Sequence, residues 1–124
     1  MTKAHLMIDD AAFDAAKEMM NHKFDKIIGY YLEDARVYVD AIKEGLENKD
    51  AESIIPAAHT IKSSSRQIGA FALASYAANI EEAARAHVQT KDNFEKLAFR
   101  CENIEMMFQG TEQEIRNRLQ QKTA

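Results

Sequence analysis

Across its 124 residues the chain holds four glycines and a single proline, Pro56. So few breakers point to helices joined by short turns. The apolar spacing agrees. Phe24, Ile28, Tyr31, Ala35, Val39, Ile42 and Leu46 recur at three-and-four intervals and predict a helix over 22–48. Lys49 and Asp50 break that run, and the Asp50 side chain suits the cap of the next helix. That helix, over 51–68, places Ile54, Ile61 and Ile68 seven apart, with Ala58 and Ser65 in the same stripe. Pro56 removes one backbone donor there and crowds the preceding turn, so a bend is expected at that point and not a helix end. Gly69 marks the turn.

The alanine-rich segment 70–88 turns Leu73, Ala77, Ile80 and Ala84 inward, and small side chains let helices approach closely. After "QTKDN" a last helix over 92–120 carries Phe94, Leu97, Cys101, Ile104, Phe108, Ile115 and Leu119. Its heptad-like stripe would suit a coiled coil between chains as well, but one such helix among several is more often a wall of an intramolecular bundle, and the chain is expected to be a monomer. Near the start, "DDAAFDAAKEMM" has an acidic first turn that suits the positive end of a helix dipole. Its apolar positions are sparse, which predicts a cap lying across the others. The expected fold class is all-α: an antiparallel up-down four-helix bundle with a short N-terminal cap helix. One domain is expected over 1–124, with frayed tails at 1–8 and 121–124.

Composition excludes several functions. Net charge is −4 with acidic and basic residues mixed, which argues against a general nucleic-acid binder. A lone cysteine, Cys101, forms no internal disulfide and supplies no zinc pair. Neither a signal-peptide pattern nor a membrane-length apolar run occurs, so a cytoplasmic location without membrane attachment is expected. A di-metal carboxylate bundle needs Glu-x-x-His motifs, and the sequence has none. Met19, Met20, Met106 and Met107 read as core or as contacts beneath the cap. Tyr30, Tyr31 and Tyr38 read as core edges with wet hydroxyls.

The stretch "HTIKSSSRQIGA", residues 59–70, asks for more than packing. At about 100° per residue, His59 falls opposite the Ile54/Ile61/Ile68 stripe. Lys62, Ser63 and Arg66 share its outward face, with Ile55 beside it. Taken alone, an exposed histidine among Lys and Arg is an ordinary solvated surface. The chemistry shifts that balance. A neutral imidazole nitrogen can attack phosphorus, and phosphoryl transfer then depends mainly on positioning and on cations near the phosphoryl oxygens. Lys62 lies one turn away. Glu81 and Arg85 stand at i,i+4 on the next helix, beyond the Gly69 turn; a carboxylate there would hold one ring N–H and free the other nitrogen. Otherwise the two form a modest surface ion pair. His5, His22 and His87 carry no comparable neighbourhood.

"AHTIKSSSRQIGA", followed by Leu73, Ile80, Glu81 and Arg85, resembles the signature of histidine-containing phosphotransfer (HPt) domains. The resemblance spans essentially the whole chain. It implies that His59 is the phosphoacceptor, that Lys62 and Arg85 are its basic neighbours, and that Glu81 orients the imidazole. It also implies a receiver-docking face around Ile55, Ser63 and Arg66. The implied role is relay of a phosphoryl group between receiver aspartates, with no cofactor on this chain and Mg²⁺ on the partner receiver. Response-regulator receivers or a hybrid histidine kinase would be the partners. No nucleotide-binding loop is present, so self-phosphorylation is not expected. One position departs from the family: Ser63 stands where glycine is usual. Two other readings remain open at this level, the phosphoacceptor domain of a chemotaxis-type kinase and a non-catalytic helical adaptor.

Overall fold

In the computed structural model, residues 7–121 are described; His5 and the outermost parts of the expected tails lie outside them. The cap helix α1 spans Asp10–Met20, and a 3-10 turn over Asn21–Lys23 leads into α2, Phe24–Glu47. Then come α3, Ala51–Gln67, and α4, Phe71–Thr90. The last leg is α5, Phe94–Cys101, followed by α6, Ile104–Gln121. With α5 and α6 taken together, four legs form an antiparallel bundle. The tightest pairing is α3 with α4, and α2 packs on the other side of α3. Among the described residues there is no strand.

Buried side chains follow the sequence stripes. Ile28, Val39 and Ile42 of α2, Ile54, Ala58 and Ile61 of α3, and Leu73, Ala77, Ile80 and Ala84 of α4 are all fully buried. Each large aliphatic among them contributes about 1.5–3 kcal/mol on burial. The α3–α4 pairing therefore rests on its apolar seam, and polar groups on the outer edge of that seam are free to serve chemistry.

Turns are closed by identifiable groups. Asp50 caps α3 by accepting from Ser53 N–H at 3.3 Å, and Asp9 caps α1 by accepting from Ala12 N–H at 2.9 Å. Helix α3 continues through Pro56 and ends in a Schellman motif: Ala70 N–H donates to Ser65 O at 2.9 Å, and Gly69 N–H to Arg66 O at 3.3 Å. Gly69 has φ +83°, and a Cβ there would sit 2.9 Å from Ala12 Cβ and 3.0 Å from Phe13 N. Glycine thus supplies both the left-handed turn and the room for the cap to cross it. Asp9 N–H donates to Gly69 O at 2.9 Å, and Phe13 meets Phe24 edge-on at 5.1 Å. An Arg118–Asp10 ion pair joins the cap to α6.

Four expectations are corrected. The single helix over 92–120 is two, broken at Glu102–Asn103, because Asn103 N–H donates to the Tyr76 hydroxyl of α4 at 2.8 Å. The apolar stripe ignores the break and runs through Leu97, Cys101, Ile104, Phe108 and Ile115, all buried. Fraying does not reach residues 7 and 8: Ile8 is buried, and Met7 N–H donates to Glu114 at 3.2 Å. Tyr31 does not keep a wet hydroxyl; its oxygen lies 2.6 Å from Ser65 Oγ in the core. Met19 and Met106 are exposed, not core, since each sits on the outward side of its helix.

Candidate phosphoacceptor site

Helices α3 and α4 bring His59, Lys62, Glu81 and Arg85 into one cluster centred on the Glu81 carboxylate. The antiparallel return at Gly69 sets the register, so that the outer edge of α3 faces the outer edge of α4. Glu81 is buried, at 6 % exposure, although it sits between Ile80 and Glu82 on a polar flank. A carboxylate so placed needs partners. His59 Nδ1 lies 3.0 Å from Glu81 Oε2, which also accepts from Arg85 Nε at 3.0 Å and Nη2 at 2.8 Å. Lys62 Nζ lies 2.9 Å from Oε1 as an ion pair, at an angle outside good hydrogen-bond geometry.

Burial alone would raise the Glu81 pKa. Lys62, Arg85 and His59 together outweigh it and hold the carboxyl at about 2, below its ordinary 4.5. Glu81 is thus ionised and can only accept, so the proton of the shared bond belongs to His59 Nδ1. In the neutral imidazole the lone pair is then on Nε2. The His59 side chain is 54 % exposed, so its ring is held at one nitrogen and open at its outer side.

This depressed pKa has a measurable consequence. A carboxyl that ionises more readily when folded stabilises the fold fully above pH 4.5, and the contribution is lost as pH falls from 4.5 towards 2. Glu105, held at about 2 chiefly by Arg36 and Lys43, acts in the same direction on the α2–α6 side. Melting temperature measured from pH 6 to pH 2 should fall steeply below 4.5. In Glu81→Gln the slope should be shallower, by the share this one carboxyl supplies; equal slopes would contradict the arrangement.

The other sequence-selected residues fall where the wheel put them, with one difference. Ser63 and Arg66 are exposed on the same face of α3, and Ile55 is half-buried one turn before His59. Lys62 is more enclosed than an outward residue, at 21 % side-chain exposure, because Glu81 draws its stem across the seam. His22 is exposed in the 3-10 turn, and His87 lies at the end of α4, 3.6 Å from Asp92 and edge-on to Phe94. Neither joins the cluster. Among the described residues no group of three or more His, Cys, Asp or Glu side chains gathers as a metal site. No described helix is long and apolar enough to cross a membrane.

A family model for the Hpt domain matches residues 26–122. The chain belongs to the Hpt domain family. Its role is histidine phosphotransfer in a phosphorelay, and Hpt domains of two-component systems interact with receiver domains and histidine kinases. The Hpt fold is shared with the crystal structure of histidine-containing phosphotransfer protein B (HptB) from Pseudomonas aeruginosa PAO1. That chain is 22 % identical, the alignment covers 95 % of this chain and 98 % of HptB, and the TM-score is 0.78. No curated protein matches the sequence. Helices α2 to α6 and the whole Glu81 cluster lie almost entirely inside the matched span, while the cap α1 precedes it.

Proposed function

We propose that His59 is the residue of this Hpt domain that carries the phosphoryl group, taking it from a receiver aspartate and passing it to another. The observation that carries this reading is the 3.0 Å contact between His59 Nδ1 and buried Glu81, which leaves Nε2 outward with its lone pair. Nε2 attacks the phosphorus of the receiver's aspartyl phosphate. An N–P bond forms as the O–P bond breaks, and the aspartate leaves with that electron pair. Nδ1 keeps its proton, and the positive charge acquired by the ring is met by the Glu81 carboxylate. Lys62 and Arg85 already stand at the site and can turn from Glu81 towards the phosphoryl oxygens. Mg²⁺ belongs to the receiver. Ile55, Ser63 and Arg66 face the docking partner. The chain acts as a cytoplasmic monomer without nucleic-acid or membrane partners; the α5–α6 stripe spent inside its own bundle supports the monomer.

Labelling tests the assignment. After incubation with a phosphorylated receiver, the phosphate on this chain should be released by acid and survive mild base, as a phosphoramidate does. The reverse lability would place it on a carboxylate, and no label at all would favour an adaptor.

Charge gives a second measurement. Lys62, Arg66 and Arg85 make a locally basic surface on a chain of net charge −4, suited to an acidic receiver pocket. Lys62→Ala should slow transfer by about tenfold, the worth of one charge-assisted hydrogen bond. The wild-type rate should fall as salt rises. A rate indifferent to both would remove the electrostatic part of the mechanism.

A further inference from the structure

Helix α3 carries five hydroxyl side chains, and four of them are committed inside the fold. Ser53 Oγ donates to Asp50 O at 2.9 Å, Thr60 Oγ1 to Pro56 O at 3.0 Å, and Ser64 Oγ to Thr60 O at 2.9 Å. Ser65 Oγ pairs with the Tyr31 hydroxyl at 2.6 Å in the core. Ser63 alone among them makes no hydrogen bond within the described chain, and it is exposed. It stands one turn after His59 on the same face of α3, and its Cα–Cβ bond tilts towards the helix N-terminus, the side on which His59 lies. Side chains at i and i+4 have Cβ atoms about 5–6 Å apart, a gap that a phosphoryl group on an imidazole and one hydroxyl can bridge. Lys62 and Arg85 approach the same space from the Glu81 side.

We infer that the Ser63 hydroxyl donates a hydrogen bond to a phosphoryl oxygen once the phosphate is on His59, and so holds the phosphoryl group on this chain at the expense of the receiver. The inference rests on His59 being the phosphoacceptor. No bond to phosphorus forms or breaks at Ser63; its proton stays on Oγ, shared with an oxygen that carries charge. Because the contact exists only when phosphate is on this chain, it acts on the equilibrium between phospho-His59 and the phospho-receiver. A residue that merely eased docking would speed transfer in both directions and leave that equilibrium alone.

The test equilibrates the full chain with a radiolabelled phospho-receiver and measures the ratio of label on the two proteins, alongside forward and reverse rates. Ser63→Ala removes the hydroxyl, keeps the helix, and should shift the ratio towards the receiver by about three- to tenfold, as loss of one solvent-facing hydrogen bond would. Ser63→Thr restores a hydroxyl at the same point and should return the ratio towards wild type. A ratio unmoved by Ala, or moved by Ala and not recovered by Thr, overturns the inference. Failure of the wild-type chain to take acid-labile label would instead overturn the His59 assignment, so the two failures are told apart.

Discussion

His59→Gln should accept no phosphate and should melt with the wild-type chain. Glutamine retains a polar group near Glu81 but lacks a nitrogen lone pair able to form an N–P bond, since its amide nitrogen is a donor only. Stability should change by less than about 1 kcal/mol, because the histidine side chain is 54 % exposed and its contact is one edge bond on the seam. Beneath it, Ile54, Ile61, Leu73 and Ile80 keep α3 on α4, each contributing about 1.5–3 kcal/mol. Glu81 also keeps Lys62 and Arg85, so its carboxylate is not orphaned. The measurement is label from a phosphorylated receiver, read beside a thermal melt. Continued acid-labile labelling of the variant would move the phosphoacceptor elsewhere, with His22 and His87 next in line.

Much of this was legible in the sequence, for physical reasons that differ between elements. The bundle followed from apolar spacing, which is set by the helix repeat and hardly depends on context: Ile54, Ala58, Ile61, Ser65 and Ile68 form one stripe in the sequence and one buried line in the fold. Asp50 and Gly69 bounded α3 because capping and left-handed turns are local chemistry. What escaped depends on contacts between elements. The break at Glu102–Asn103 has no proline or glycine to announce it; it arises where the Tyr76 hydroxyl takes the Asn103 N–H from another helix. The Tyr31–Ser65 bond joins residues 34 apart; each residue's place in a buried stripe shows in the local pattern, but the pairing of their two hydroxyls does not. Thr111 is the local exception: inside α6 its hydroxyl donates to Met107 O at 2.8 Å, which makes a polar residue fit for the core. At the site, the pairing of His59 with Glu81 was visible from register, but the draw of Lys62 onto the same carboxylate was not, since it depends on how deeply Glu81 is buried.

Ser63→Leu should fold as the wild type does and lose transfer. Ser63 is exposed on the face away from the Ile54/Ile61 seam, and leucine has a slightly better helix propensity than serine, so stability should stay within about 0.5 kcal/mol. Transfer places a harsher demand on the same position. The receiver's phosphorus has to come within about 3–3.5 Å of His59 Nε2, and misplacement by about 1 Å costs on the order of a hundredfold. A leucine side chain one turn from His59, on the face the receiver must cover, holds the partner off by more than that. Forward and reverse rates should therefore fall together, by about a hundredfold. Ser63→Ala, which lacks the hydroxyl and the bulk alike, separates the two roles of the position: its rates should stay near wild type in one direction while the ratio shifts. If Ser63→Leu melts well below wild type, this face of α3 is packed and the register of the helix is wrong. If it folds and transfers at the wild-type rate, the receiver approaches His59 from the α4 side, across Glu82 and Arg85, and Ser63 is left with the phosphoryl contact alone.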